Sequence, residues 1–289
     1  MRRFVVNLIL LCICILTAFA AMLAFHTYEE YQKFRLPEGK HVIGVSNSHI
    51  QCGLSEEWWP GFKNFSSPGT SPWLWTSKLK AIMKMNRRDP PKCVIFDHGV
   101  QDAVLAGKID RETDMFARYF PMSFVEGSYP YGLMSIFGKS SSLDAIFSNG
   151  ALTRKWNQLP PPDMKREFDL DLSLKIHFGN TSPEFKRKDE IYIATLCEPI
   201  EFALRHKMRV VFVSSPCYVE YRAMVPPACI AKRNSTMAYL QSEYPDIEYY
   251  DFYDSSAFIQ EDFRDPDHLS EKGCKKFTAM LREKLDGKY

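Results

Sequence analysis

Short apolar runs alternate along the chain with stretches that carry apolar residues at helical spacing. The apolar runs predict five strands, at residues 41–45, 62–65, 93–96, 209–213 and 247–252. The helical spacing predicts helices at residues 71–85, 189–207, 235–243 and 270–285. The third and fourth runs are nearly continuous and rich in β-branched residues, which is typical of strands buried on both faces of a parallel sheet. This alternation predicts a three-layer α/β domain over residues 41–289.

Residues 103–188 do not follow this alternation. They contain many aromatic side chains, three consecutive prolines at 160–162 and few periodic elements. The segment is too long for a simple connection and too aromatic for a disordered linker. We interpret it as an insertion after the third strand. Two roles stay open for it: a lid or cap over a substrate site, and padding packed against the core.

The N-terminal segment has a third pattern, because residues 4–25 contain no charge and only one strongly polar side chain. A helix of that length spans about 33 Å, enough for a hydrocarbon core of roughly 30 Å. Arg2 and Arg3 precede the segment, and positive charge favours the cytoplasmic side of a membrane. The pattern therefore predicts a body outside the cytoplasm, on the periplasmic or extracellular side.

This reading divides the N-terminal region into two parts. We expect residues 1–25 to form a transmembrane anchor, or signal-anchor, and residues 26–40 to form a juxtamembrane linker. The alternative is a signal peptide that is cleaved after the small–x–small sequence at residues 18–20. Both interpretations export the body.

Composition narrows the function. The chain has 289 residues, 45% hydrophobic and 25% charged, which excludes disordered and collagen-like classes. Its net charge is +2, which argues against a nucleic acid partner. No paired-cysteine motif and no histidine pair at ligand spacing occurs, so no metal or other cofactor is expected. A disulfide between Cys217 and Cys229 and two separate buried thiols both stay open.

Two short segments carry residues suited to acyl transfer chemistry. Residues 44–49 directly follow the first predicted strand and contain two serines, and Asp265 and His268 directly precede the last helix. Active sites of open parallel sheets lie outside the carboxyl ends of the strands, so these segments are expected to meet. A serine becomes a nucleophile when an imidazole takes its proton, and a carboxylate orients that imidazole.

These segments resemble the SGNH/GDSL hydrolase superfamily, and especially its membrane-anchored cell-envelope branch, which is similar to alginate-type O-acetyltransferases and DltD-like proteins. The resemblance covers roughly residues 41–102 and 189–285. It implies a flavodoxin-like α/β/α fold with Ser48 as the nucleophile, His268 as the base and Asp265 as its orienting carboxylate. Asn47 stands where the family has an aspartate, and we expect it among the residues that bind the oxyanion or the substrate.

The resemblance also implies an oxyanion hole, the group of donors that binds the negative oxygen of the reaction. Gly69 matches the glycine of the family's second block, and the backbone N–H of Ser48 is a further donor. The family's third block usually supplies an asparagine, and here only His98 and Gln101 can replace it. A second register of the first block makes Ser46 the nucleophile instead of Ser48.

The sequence predicts a serine esterase or O-acyltransferase that acts on acyl esters, chiefly acetyl esters, of cell-envelope or extracellular glycans. The expected partners are the acylated glycan or another ester, the membrane through the N-terminal helix, and envelope polysaccharide assembly proteins. The alternative is a non-catalytic, membrane-anchored binding or assembly subunit on the same fold, because a fold alone does not determine function. The unusual first and third blocks favour this alternative.

Overall fold

A computed structural model describes residues 1–67, 70, 72–101, 168–178 and 189–286 of the chain. Most of the predicted insertion at 103–188 therefore lies outside the described residues. Its described part is one helix, Leu170–Phe178, with a short approach.

The sheet consists of the five predicted strands, all parallel. They are β1 (Val42–Gly44), β2 (Phe62–Asn64), β3 (Cys93–Asp97), β4 (Arg209–Ser214) and β5 (Glu248–Asp251). Their order across the sheet is β2-β1-β3-β4-β5, which is the flavodoxin-type order. The predicted parallel α/β fold is confirmed. The order reverses between β1 and β3, the position where such sheets form their sites.

Helices cover both faces of the sheet. In chain order, the helices of the described residues are α1 (Arg2–Gln32), α2 (Ser48–Gly53), α3 (Pro72–Met85), α4 (Leu170–Phe178), α5 (Asp189–Arg205), α6 (Val219–Met224), α7 (Pro227–Glu243) and α8 (Glu271–Asp286). One buried cluster joins β1, β3 and β4 to α3, α5 and α7, and a second joins the opposite sheet face to α2 and α8. This is a three-layer arrangement.

A short hairpin between β5 and α8 contains Asp265 and His268, the predicted carboxylate and base. Its antiparallel strands are β6 (Phe263–Asp265) and β7 (His268–Leu269). Gly273 brings α8 close to this region, because a Cβ on Gly273 would lie 2.0 Å from the carbonyl oxygen of Asp262. Only a residue without a side chain permits that approach.

The N-terminal helix α1 ends at Gln32, seven residues beyond the predicted end of the anchor. The following segment joins the domain: Phe34 stacks on Phe65, and Asn86 accepts the backbone N–H of Leu36 at 2.8 Å. Within the part of the chain that the structure describes, no helix combines the length and hydropathy needed to cross a bilayer. The predicted membrane-spanning helix is therefore not found there.

Cys217 and Cys229 are both buried, and both are free thiols. The disulfide that the sequence left open is not formed, and the two separate buried thiols are what the structure contains.

Candidate active site

The first part of the site is the turn from β1 into α2. Asn47 caps the helix: its Oδ1 accepts the backbone N–H of His49 at 3.0 Å, and its Nδ2 donates to Oδ2 of Asp97 at 3.3 Å. Asparagine is a preferred residue at this position because its side chain satisfies a free backbone donor. The cap places Ser48 as the first residue of α2, beside the hairpin of β6 and β7. Asn47 thus shapes the turn that presents Ser48.

The second part of the site is the hairpin itself. Oδ1 of Asp265 lies 2.8 Å from Nδ1 of His268, and Nε2 of His268 lies 2.8 Å from Oγ of Ser48. The chain separation between Ser48 and His268 is 220 residues. The structure therefore brings the three predicted residues into one hydrogen-bonded line, in the order needed for nucleophile, base and orienting carboxylate.

Ser46 occupies a different environment. It is fully buried, its Oγ accepts the backbone N–H of Asp97 at 2.9 Å, and its own N–H donates to Oγ of Ser66 at 3.0 Å. These bonds hold the end of β1 against its neighbours. Among the described residues, Ser48 and not Ser46 contacts the imidazole of His268.

The electrostatics of the site favour a charged imidazole. Burial by itself lowers the pKa of His268, but the carboxylates of Asp267 and Asp265 outweigh burial and raise that pKa well above its usual value. Burial by itself raises the pKa of Asp267, but His268 and His49 outweigh it and hold that pKa well below its usual range. Asp267 is thus a buried carboxylate anion between two imidazoles.

The predicted oxyanion donors do not all gather at Ser48. Gly69 lies outside the described residues. His98 is fully buried, with Nδ1 3.2 Å from the hydroxyl of Tyr192 and Nε2 3.3 Å from the carbonyl oxygen of Arg233. Successive side chains of a strand point to opposite faces, so His98 lies across the sheet from Asp97 and the site. The prediction that His98 contacts substrate is corrected on this ground.

Gln101 lies next to the site but contacts His49 rather than Ser48. Its Nε2 is 2.9 Å from Nδ1 and 2.7 Å from Nε2 of the His49 ring. The backbone N–H of Ser48, at the start of α2, is the predicted oxyanion donor that the described structure places directly at the nucleophile.

Sequence reasoning missed part of the site. Asp267 lies 3.2 Å from Nε2 of His49 through its Oδ2, and Nε2 of His177 lies 3.6 Å from the same oxygen. Asp267 could have been found from its position directly before His268, within residues 265–268. No sequence signal indicated His177. It lies on α4, more than 100 residues from α2.

Three side chains of the site have the chemistry of metal ligands. One ligand atom each from His49, Asp267 and His268 lie within 4.8 Å of one another, and all three residues are buried. Imidazole nitrogen and carboxylate oxygen are ligands that zinc accepts. Sequence spacing could not predict this group, because His49 and Asp267 are 218 residues apart.

Comparison with known proteins finds similar solved structures at low sequence identity. No family model matches the chain, and no curated protein is similar to it. Similar solved structures include a provisionally assigned acylhydrolase of Bacteroides fragilis, at 10% identity over 88% of this chain and 89% of the other, with a TM-score of 0.44. A GDSL-like lipase of Bacteroides thetaiotaomicron matches at 10% identity over 92% of this chain and 100% of the lipase, with a TM-score of 0.46. A structure described as a provisional platelet activating factor from Streptococcus pneumonia matches at 13% identity over 94% of this chain and 98% of the other, with a TM-score of 0.41.

Proposed function

We propose that the protein is a serine esterase of the SGNH/GDSL type. The observation that carries this proposal is the line from Asp265 to His268 to Ser48, with both contacts at 2.8 Å. These distances are within the range that proton transfer between a nucleophile and its base requires.

The proposed reaction proceeds in two acyl transfers. Ser48 Oγ attacks the acyl carbonyl carbon while Nε2 of His268 takes the hydroxyl proton, and Asp265 holds the ring through Nδ1. The tetrahedral intermediate collapses as His268 returns the proton to the leaving alkoxide, which leaves an acyl ester on Ser48. The hydroxyl of water or of a sugar then gives its proton to His268 and attacks the acyl ester. His268 passes that proton to Oγ of Ser48 as the serine leaves, which restores the free enzyme. The backbone N–H of Ser48 is the proposed donor to the negative oxygen.

The natural substrate is proposed at the level of chemical class. We propose acyl esters, chiefly acetyl esters, of envelope or extracellular glycans, in keeping with the resemblance of the first and last blocks to the cell-envelope branch. Water as the final acceptor makes the protein an esterase, and a sugar hydroxyl makes it an O-acyltransferase. Polysaccharide assembly proteins are the partners proposed for the second case.

The location is also a proposal. We propose that the body acts outside the cytoplasm, because Arg2 and Arg3 precede an uncharged apolar segment and Phe4 and Leu16 of α1 are largely exposed, at 71% and 66%. Cell fractionation followed by protease treatment of intact cells tests it. Recovery of the whole chain in the cytosol would contradict the proposal.

The test of function uses the full chain, a fluorophosphonate probe and p-nitrophenyl acetate. We expect the wild-type protein to be labelled and to release p-nitrophenol, and Ser48→Ala to lose both activities. Ser46→Ala is the matched control and is expected to keep labelling, because its hydroxyl bonds the backbone of Asp97. Labelling retained in Ser48→Ala would reject Ser48 as the nucleophile. A folded wild-type chain that neither labels nor hydrolyses would favour the non-catalytic assembly subunit.

A further inference from the structure

Side chains take over from the backbone where β1 leaves the sheet and turns toward α2. Backbone bonds join β1 to β3 as far as the N–H of Val45, which donates to the carbonyl oxygen of Ile95 at 3.1 Å. At the next step Oγ of Ser46 accepts the backbone N–H of Asp97 at 2.9 Å. Nδ2 of Asn47 then donates to Oδ2 of Asp97 at 3.3 Å. Asp97, the last residue of β3, therefore holds the turn that leads into α2.

The same carboxylate also reaches the end of β4. Oδ1 of Asp97 accepts the backbone N–H of Ser215 at 3.1 Å and the hydroxyl of Ser215 at 2.6 Å. One oxygen of Asp97 thus faces donors from β4, and the other faces the amide of Asn47. Nδ1 of His49 lies 3.7 Å from Oδ2 of Asp97, which is beyond hydrogen-bond distance. Asp97 is fully buried and Asn47 is 4% exposed, so loss of either partner leaves a buried polar group unsatisfied.

Asn47 uses the two ends of its amide in two directions. Its Nδ2 donates to Asp97, while its Oδ1 accepts the backbone N–H of His49 and so caps α2. The amide cannot turn over, because that would direct a donor at the N–H of His49. A carboxylate accepts and an amide both accepts and donates, so the types of Asn47 and Asp97 match each other. Their bond fixes where α2 begins, and the first residue of α2 is Ser48.

We propose that Asp97 is a positioning residue of the nucleophile: through Asn47 it fixes the start of α2, and thereby the place of Ser48 beside His268. In this role Asp97 acts through Asn47 and the backbone of Ser48, not by contact with a substrate. The inference rests on the proposed function only for its effect on turnover, because the placement of α2 is a property of the fold.

An exchange of the two residue types tests the pair. In Asp97→Asn, the new amide has one oxygen and faces N–H donors from Ser215 and from Asn47, so one buried donor loses its acceptor. In Asn47→Asp, two carboxylates face each other with no donor between them. The double variant Asn47→Asp/Asp97→Asn reverses the direction of the bond. It keeps an acceptor for the N–H of His49 and for that of Ser215, and aspartate caps a helix as well as asparagine does.

The first measurement is hydrogen–deuterium exchange of the full chain, followed by mass spectrometry of the peptide that contains residues 48–54. In each single variant we expect these amides to exchange faster by about 5- to 150-fold, the factor that corresponds to one unsatisfied buried donor. In the double variant we expect a rate close to that of wild type. Asp251→Asn is the control, because it weakens the ion pair with Arg233 at the edge strand β5 and should leave these amides close to wild type.

The second measurement is turnover of p-nitrophenyl acetate by the same variants. In Asp97→Asn we expect kcat to fall by about 10- to 100-fold with KM little changed, because a misplaced nucleophile slows the chemical step. The double variant should recover most of the lost kcat. Circular dichroism verifies that each variant is folded, so a lower kcat in a folded variant does not arise from unfolded protein.

A double variant that is no better than the worse single variant overturns the proposal. Wild-type exchange of residues 48–54 in Asp97→Asn, or an unchanged kcat in an active chain, also overturns it. If a single variant does not fold, the double variant decides: recovery of the fold supports the pair, and failure to fold overturns it. A wild-type chain without any esterase activity rejects the proposed function, while the exchange rates still decide on the pair.

Discussion

Oδ1 of Asp265 holds both the side chain and the backbone of His268. It lies 2.8 Å from Nδ1 of the ring and accepts the backbone N–H of the same residue at 2.9 Å. The same oxygen also accepts the backbone N–H of Asp267 at 3.3 Å. One carboxylate thus shapes the hairpin turn and fixes the plane of the imidazole at the same time.

This double role gives the first prediction. In Asp265→Asn, we expect kcat for p-nitrophenyl acetate to fall by about 10²–10⁴-fold, because the amide neither stabilises the imidazolium nor selects its tautomer. KM is expected to change little. Steady-state kinetics measures both. Asp286→Asn, which removes an exposed carboxylate paired with Arg282, is the matched control. Equal activity in the two variants would contradict the role of Asp265.

The second prediction concerns the contact between α8 and the residues before β6. In Gly273→Ala the new Cβ would meet the carbonyl oxygen of Asp262 at 2.0 Å, so α8 must shift. We expect the free energy of unfolding to fall by about 1–3 kcal/mol or more. Urea denaturation measures the loss. Gly61→Ala is the control, because its nearest new contact is 3.9 Å away. Equal stability of the two variants would refute the close approach.

The third prediction concerns a buried lysine of α3 that contacts the loop after β2. Nζ of Lys78 donates to the carbonyl oxygen of Phe65 at 2.7 Å and to Oγ of Ser67 at 2.8 Å, and burial lowers the pKa of Lys78 to about 7. The unfolded chain binds more protons than the folded chain between pH 7 and the ordinary lysine pKa. This group therefore makes stability rise with pH in that window, by at most about 1.4 kcal/mol per pH unit.

In Lys78→Met that contribution should vanish. Denaturant unfolding at several pH values between about 7 and 10 should give a flatter dependence on pH than in wild type. Lys92→Met, at an exposed position, should keep the wild-type slope. Parallel curves for wild type and Lys78→Met would show that Lys78 keeps an ordinary pKa in the fold.

The fourth prediction concerns acid stability. Burial lowers the pKa of His98 to about 4, so the folded chain holds this ring neutral while the unfolded chain protonates it near 6.5. Stability from this group is lost as pH falls from about 6.5 to 4. We expect His98→Asn to lose less stability over that pH window than the wild-type protein loses. Unfolding at stepped pH measures this loss, with His206→Asn, a change at an exposed position, as the control. An identical loss in wild type and His98→Asn would contradict the neutral buried ring.

Much of the fold was predictable from local pattern. The strands at Cys93–Asp97 and Arg209–Ser214 are buried, nearly continuous apolar runs, and a sequence displays such runs directly. Gly273 shows the limit of this reasoning. A glycine has low helix propensity, so its local effect is to weaken α8. Its role in the fold is to allow the close approach to the backbone of Asp262, and no pattern in the neighbouring sequence indicates that approach.

The candidate site was predictable only in part. Asp265 and His268 were predictable as an orienting carboxylate and a base, because a spacing of three residues allows the two side chains to meet across one short turn. The family resemblance favoured Ser48 over Ser46 as the nucleophile, but the local pattern alone did not decide which of the two faces the base. The choice depends on where β1 stops and α2 begins, and a shift of one or two residues there sends a hydroxyl into the sheet or out to His268.

The sequence by itself determined the alternation that builds a parallel α/β domain and the chemical groups that its strand ends present. Only the tertiary structure decided which groups meet. It placed His98 across the sheet from the site, and it stacked His49 on His268 with Asp267 between them. The physical reason is that periodicity fixes which face a side chain occupies within its own element, whereas contacts across 200 residues depend on how the elements pack.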